Sequence, residues 1–384
     1  MKVIFDITNI IPGNGGAGGG IWVYASRLLA ELDLMAATKS FEVICLKNSK
    51  NKNLELSNIR IIDIELNSKS LFHRMYWLHV RLPKLCKKYN ADLLHRVVPE
   101  MPMFNYCKSV CTLHDLMFNF YLSNKDMNRS LSFMDRAKFQ VLNIKTKMAV
   151  NNSDAVIVPS YSVEKEVNEV YKGGSTKLIV IPEASDRSHR PSPEPNNFTR
   201  GDIFRIIVVA GFYPHKGHFN VINLAMELVK NGIYNFEITF RGNSTNTEFI
   251  QELKDKIAEH KLQNFFVFSN FNNKHDLKDI YKGQHCFLLL SEYEGFGLPL
   301  LEAQSFGLPV VCSDIPVFKE NLGDSALFVN PFDSRHLFSI IVKLMISPSL
   351  RNELVEKGHK NVQRFSWEKM SNDTLRVYES INLS

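Results

Sequence analysis

Glu294 and Glu302 stand eight residues apart on either side of a glycine turn, in the run EGFGLPLLE. A glycine-rich turn that leads from a strand into a helix aims free backbone N–H groups and the positive end of the helix at whatever lies in front of it, and an anion is the natural occupant. Carboxylates flanking such a turn accept hydrogen bonds from hydroxyl groups. A ligand with an anionic part and several hydroxyls fits both demands, and a sugar nucleotide is one. His114 offers a further group, because it ends the apolar run 109–113, and a histidine at the C-terminal end of a parallel strand faces the ligand crevice. Plainer readings stay open at this level: both glutamates solvated, the histidine satisfied by its neighbours. Two glutamates also raise the acid/base pair of a glycosidase, which must face each other across the scissile bond.

The elements that must hold these groups are legible around them. Residues 286–290 have the length and flanks of a buried strand, 298–306 read as a short helix, and 308–312 as a second strand. Pro299 suits the first helical turn, where a missing N–H costs nothing, and Gly307 suits the left-handed position just past the end. This is a βαβ unit, so its strands are expected to be parallel.

The same alternation runs along the rest of the chain. A strand over 2–11, a glycine loop over 12–20 and an apolar-periodic helix over 21–34 open it. Gly13, Gly15 and Gly18 satisfy G-x-G-x-x-G, but a nicotinamide-binding domain also wants an acid ending its second strand. That strand, 41–46, ends in Lys47 and Asn48, which excludes the dehydrogenase reading. Further strands are expected over 92–95, 109–113, 155–158 and 178–181, with a helix over 163–171. The polar, proline-bearing stretch 185–202 then reads as a linker. Strands over 204–210, 235–240, 265–268 and 326–329, and helices over 220–230, 248–259, 334–346 and 368–381, follow it. Length and pattern together predict two α/β domains.

Bulk properties bound the rest. The 384 residues are 45% hydrophobic and 22% charged, with 46 Lys and Arg against 40 Asp and Glu, a mild excess that does not call for nucleic acid. The six cysteines include no C-x2-C pair and lack clustered histidines, so neither a zinc site nor a disulfide framework is expected, and a reduced, cytoplasmic setting follows. The start, MKVIFDITNI, is too polar for a signal peptide, and no run approaches the length of a membrane span. Residues 68–88 hold six Lys and Arg and no acid, interleaved with aromatic and aliphatic residues. Such a stretch attaches to an anionic membrane surface, or covers the sheet as an ordinary amphipathic helix with Pro83 as a break.

Taken together, E-G-F-G-L-P-x-L-E-A and G-x-P-V-V over 294–311 resemble the retaining glycosyltransferases of family 4. Similar matches lie in T-L-H-D-L at 112–116, G-G-I at 19–21, the G-x5-G turn at 211–217 and F-S-W at 365–367. The resemblance implies the GT-B fold: α/β, two Rossmann-like domains with parallel sheets facing across a cleft. Residues 1–187 would bind the acceptor, 188–365 the nucleotide sugar, and 366–384 would pack back on the first domain. By the same resemblance Glu294 lies by the transferring sugar with His114 opposite, and Glu302 holds the ribose hydroxyls. The amides of Phe296, Gly297 and Leu298 take the diphosphate, together with Lys216 and the turn at Gly19 and Gly20. One departure stands out: Phe212 occupies the place of an arginine that clamps the diphosphate with the lysine, which leaves His215 or another residue to compensate.

No metal and no cofactor are expected beyond the nucleoside-diphosphate sugar as co-substrate. The implied activity is retaining, metal-independent transfer of a hexose, mannose being favoured, to a glycan or polyprenyl-diphosphate-linked saccharide in O-antigen-like surface polysaccharide assembly, in the cytoplasm or at the inner face of its membrane. A catalytically silent sugar-nucleotide binder or scaffold is the alternative from another class, and a glycoside hydrolase the third.

Overall fold

Short runs of Val, Ile, Leu, Phe and Cys, flanked by glycine, proline or polar turns, become strands buried on both faces, as parallel sheets require. The computed structural model describes residues 1–11, 19–51, 54–67, 70–172, 177–185, 198–199, 201–242, 246–269 and 277–382. Gly13, Gly15 and Gly18 and most of 185–202 lie outside them. The chain divides into two compact units, Met1–Glu183 with Trp367–Ser384, and Ala184–Ser366.

In the first unit β1 (Lys2–Ile7), β2 (Glu42–Asn48), β3 (Arg60–Ile64), β4 (Leu93–Arg96), β5 (Lys108–Thr112), β6 (Ala155–Val158) and β7 (Lys177–Val180) form one sheet in the order β3-β2-β1-β4-β5-β6-β7. Every pairing is parallel. Helix α1 (Gly20–Ala36) turns Tyr24, Leu28 and Leu32 inward, and α7 (Tyr161–Tyr171) buries Val163, Val167 and Tyr171 at helical spacing. The Ser160 hydroxyl caps α7 by accepting from Val163 N–H, an arrangement that contributes about 1 kcal/mol.

Residues 71–88 are helical throughout, so Pro83 does not break them. Helix α2 (Leu71–Tyr76) runs into a π turn, Trp77–Arg81, and on into α3 (Leu82–Lys88). Pro83 cannot donate to the carbonyl of His79 and its ring would crowd that oxygen. Widening the preceding turn, so that Leu82 N–H bonds Trp77 O, relieves the conflict. Three helices with weak sequence signals follow: α4 (Met117–Ser123), α5 (Lys125–Ser130) and the twenty-residue α6 (Phe133–Asn152).

The second unit repeats the plan with β8 (Phe204–Val209), β9 (Phe236–Arg241), β10 (Phe266–Ser269), β11 (Cys286–Leu289), β12 (Val310–Ser313) and β13 (Leu327–Val329), ordered β10-β9-β8-β11-β12-β13 and wholly parallel. Its helices are α8 (His218–Lys230), α9 (Thr247–Glu259), α10 (Leu277–Tyr281), α11 (Leu298–Ser305), α12 (Pro316–Leu322), α13 (Ser334–Ile346) and α14 (Pro348–Val362). The last helix, α15 (Trp367–Asn382), belongs to the first unit, where it packs on α1. Where 185–202 is described it is anchored: Phe198 packs edge-on against Phe204 at 5.0 Å, and the Arg351 guanidinium lies over its ring.

Both sheets reverse direction once, between β1 and β4 and between β8 and β11. In open α/β sheets the ligand crevice lies outside the carboxyl ends of the strands at that switch point.

Candidate active site

The switch point of the second unit carries the predicted groups. After β8 the chain makes a 3-10 turn, Pro214–Lys216, and enters α8 through Gly217 at φ +71°. Only glycine fits there. A Cβ on Gly217 would lie 2.1 Å from the carbonyl oxygen of Leu290, the residue that follows β11. Glu292 N–H donates to His215 O at 2.8 Å, so the loops after β8 and β11 are fastened backbone to backbone. That contact sets Lys216 Nζ 2.6 Å from Glu294 Oε1, and the buried Ser291 hydroxyl donates to the same oxygen at 2.9 Å. Both partners are largely withdrawn from solvent, at 18% and 16% side-chain exposure. The sequence assigned them to different parts of one ligand, and the structure makes them an ion pair.

Beyond Glu294 the turn is pinned by the Asn321 amide, which donates to Phe296 O at 2.7 Å. Phe296 is buried edge-on against Phe365. Gly297, at φ +93°, caps α11, and a Cβ there would press on Leu300 and Phe318 at 2.9 Å. Among the described residues the backbone N–H groups of Phe296, Gly297 and Leu298 find no protein acceptor, which leaves the helix end able to receive an anion. Glu302 sits in the second turn of α11. Its Oε2 accepts from the Tyr281 hydroxyl at 2.7 Å, and the Tyr281 ring stacks on Phe306. Burial, reinforced by the Glu302 charge, pushes the Tyr281 hydroxyl far above its ordinary pKa, so it remains a donor that fixes the carboxylate's orientation.

Position 212 is core. Phe212 is buried and packs on His218 and Phe268. Nor does His215 supply the second cation, since burial first and Lys216 second hold it well below its usual pKa and therefore neutral.

In the first unit His114 follows β5. Its Nδ1 lies 2.8 Å from Glu183 Oε1, which follows β7, and both side chains are nearly buried. A carboxylate only accepts, so Nδ1 carries the proton. Nε2, buried and without a protein partner, is left for a ligand. The Tyr24 ring meets His114 edge-on at 4.8 Å. The Tyr24 hydroxyl lies 3.2 Å from Thr112 Oγ1, which lies 2.9 Å from His95 Nε2, and His95 Nδ1 is bonded to the Tyr378 hydroxyl of α15. Burial pushes His95 down to a pKa of about 3, so this chain is neutral. At the switch point itself Asp6 and Arg96 form a fully buried pair at 2.8 Å. Gly19 and Gly20 open α1, and a Cβ on Gly20 would meet nothing within 4 Å.

Sequence reading missed Glu183, Tyr281, Ser291 and the Asp6–Arg96 pair. Glu183 had a visible signal, a carboxylate just past the strand 178–181. Among the described residues no group of three or more His, Cys, Asp or Glu is placed to hold a metal ion.

Known proteins settle the family. The chain matches "Glycosyl transferases group 1" over residues 193–361 and "Glycosyltransferase Family 4" over residues 18–189. It belongs to glycosyltransferase family 4. This family 4 glycosyltransferase is 25% identical, over 93% of its length and 94% of the relative's, to the O-antigen chain mannosyltransferase RfbU of Salmonella typhimurium. It is 36% identical to the O-antigen chain mannosyltransferase B of Escherichia coli, over 27% of each chain. Sucrose-phosphate synthase of Thermosynechococcus elongatus shares the fold, with a TM-score of 0.79 at 18% identity over 99% of both chains. The fold is GT-B.

Proposed function

We propose that this protein is a retaining, metal-independent hexosyltransferase. It moves mannose from a nucleoside-diphosphate sugar to a glycan or polyprenyl-diphosphate-linked saccharide in O-antigen-like polysaccharide assembly, at the cytoplasmic face of the membrane. The observation that carries the reading is the Lys216–Glu294 pair beside the orphan amides of α11, in a chain whose near full-length relative is an O-antigen mannosyltransferase.

Chemistry follows from the leaving group. As the glycosidic bond to the diphosphate breaks, negative charge grows on the distal phosphate, and fixed donors aimed there lower the barrier most. Lys216 and the amides of Phe296, Gly297 and Leu298 supply them, with Gly19 and Gly20 giving the backbone room to approach. Glu302, held by Tyr281, takes the ribose hydroxyls. Glu294 supports the developing positive charge on the sugar. His114, whose proton is committed to Glu183, accepts a sugar hydroxyl at Nε2.

A catalytically silent nucleotide-sugar binder is favoured by one observation, the core phenylalanine at 212 with a neutral His215 beside Lys216. Thermal-shift screening with UDP, GDP and ADP identifies the base. Incubation of the matching sugar nucleotide with a polyprenyl-diphosphate-linked saccharide, with and without a chelator, then decides. An α-linked product from an α-linked donor, formed equally with chelator, supports the proposal. Nucleotide binding without product over hours supports the silent reading, and cleavage of a nitrophenyl glycoside without nucleotide would return the protein to the hydrolases.

A further inference from the structure

Large apolar side chains are exposed unevenly. Of the twenty exposed among the described residues, twelve fall in α2, in residues 103–106 and in α6 of the first unit, so the exposure is local rather than the scatter normal for a surface. Phe72, Phe104, Phe133 and Met134 are 76%, 79%, 85% and 78% exposed. Helix α6 has two apolar faces. Thr146, Ala149 and Val150 turn to the core, whereas Met134, Ala137, Val141, Ile144 and Met148, spaced three and four residues apart, share a solvent-facing stripe.

The π turn and α3 that continue α2, the segment 100–106 and α6 are tied together. Met103 N–H donates to His79 Nδ1 at 3.2 Å, Lys87 lies over the Tyr106 ring at 5.3 Å, and Lys145 of α6 bonds Glu100, on the segment leading to 103–106, at 2.8 Å. Charge collects on the same elements. Residues 71–88 and 133–152 hold nine Lys and Arg against one acid, Asp135, more than the whole chain's excess of six. Glu100, the carboxylate between them, is occupied by Lys145.

We propose that α2, residues 103–106 and the outer stripe of α6 form a single lipid-contact face that seats the protein on an anionic bilayer, with Phe104, Phe133 and Met134 entering the headgroup layer. The inference rests on the proposed lipid-linked acceptor and extends membrane contact from 68–88 to two elements that sequence reading left aside. Charge selects the occupant. Pairing this face with a second copy would oppose two rows of like charge, whereas anionic headgroups complement the cations and the hydrocarbon boundary receives the aromatic and Met side chains. No described helix is long and apolar enough to cross the membrane, so this attachment is interfacial.

The test is co-sedimentation of the full chain, without nucleotide, with vesicles of phosphatidylglycerol and phosphatidylethanolamine or of phosphatidylcholine alone. The wild type is expected to sediment with the anionic vesicles and be released by salt. Phe133→Asp with Met134→Asp, and separately Leu71→Asp with Phe72→Asp, should each weaken partition about tenfold or more. Phe332→Asp, an exposed apolar residue of the second unit, should change nothing. Because the altered side chains are exposed, melting curves should match the wild type. Wild-type retention by the α6 variant, equal binding to phosphatidylcholine, or a dimer that the α6 variant dissociates without loss of lipid binding would each overturn the proposal. Nucleotide binding by thermal shift is read separately on the same variants. Failure there counts against the proposed function, and failure to sediment counts against this face.

Discussion

Lys216 Nζ and Glu294 Oε1 are 2.6 Å apart, and Ser291 donates to the same carboxylate oxygen. In the proposed function the cation that would meet the diphosphate is thus held, before any ligand arrives, by the carboxylate that would face the sugar. Lys216→Met is expected to raise the donor KM and to lower kcat, because it removes a donor to the departing phosphate. A loss of about a hundredfold or more in kcat/KM is the scale for one such group. Glu294→Gln keeps the shape and should lower kcat more than KM. Steady-state kinetics on both variants check this, and unchanged turnover in either would remove that residue from the site.

Glu183 bonds His114 Nδ1 at 2.8 Å, so in the proposed function it would act through that ring. Glu183→Gln leaves a group able to present either end of its amide to Nδ1, so the ring's tautomer is no longer fixed. Turnover should fall by about a hundredfold, the scale of a misplaced reacting group. The double variant with His114→Ala should be little worse than His114→Ala alone, since the two residues share one function. Additive losses would show that Glu183 serves the fold or the acceptor separately.

Tyr281→Phe deletes only the hydroxyl that orients Glu302. The donor KM should rise about three- to tenfold, the value of one hydrogen bond, with kcat almost unchanged. A drop in kcat instead would place Glu302 at the reacting bond rather than on the ribose.

Two glycines should part company. Gly217→Ala meets the Leu290 carbonyl and a positive φ, so it should destabilise the second unit by about 3 kcal/mol or more. Gly20→Ala meets nothing and should melt as the wild type does. Weaker donor binding at unchanged stability would mark Gly20 as space kept for ligand, and an unchanged KM would show that it is not.

Acid should destabilise both units. Burial holds His95 and His218 at pKa values of about 3 instead of 6.5. Between those values the unfolded chain binds more protons than the folded one, so stability is full above pH 6.5 and falls as the pH drops toward 3. At pH 5 each histidine accounts for about 2 kcal/mol of loss. His95→Gln should lower stability at pH 7, because the bonds to Tyr378 and Thr112 change, yet flatten its pH dependence. A slope equal to wild type would mean that other groups carry the acid sensitivity.

Local order was legible where the chain speaks for itself. The run 286–312 announces strand, glycine turn, helix and strand because burial on both faces demands continuous apolar residues and the turn demands glycine. Helix α6 escaped notice because its inner face is short and its outer apolar face has no core to match, so its pattern reads as neither buried nor amphipathic. Edge strand β3 has only five residues, one of them an aspartate. The candidate site residues were visible, whereas their partners were not. Glu183 lies 69 residues from His114 and Tyr281 lies 21 from Glu302, and no spacing rule connects a side chain at one strand end with another two strands away. The π turn before Pro83 shows the reverse case, a local signal for a break that tertiary packing overrode.

Because Gly217 rests on the Leu290 carbonyl and Glu292 reaches back to His215, the segments after β8 and β11 are one mechanical piece despite the 72 residues between Gly217 and Leu290. Attempts to change donor preference by transplanting a segment from another family 4 enzyme should therefore move the two together. A graft of either alone inherits a foreign neighbour at a place where not even a methyl group can be accommodated.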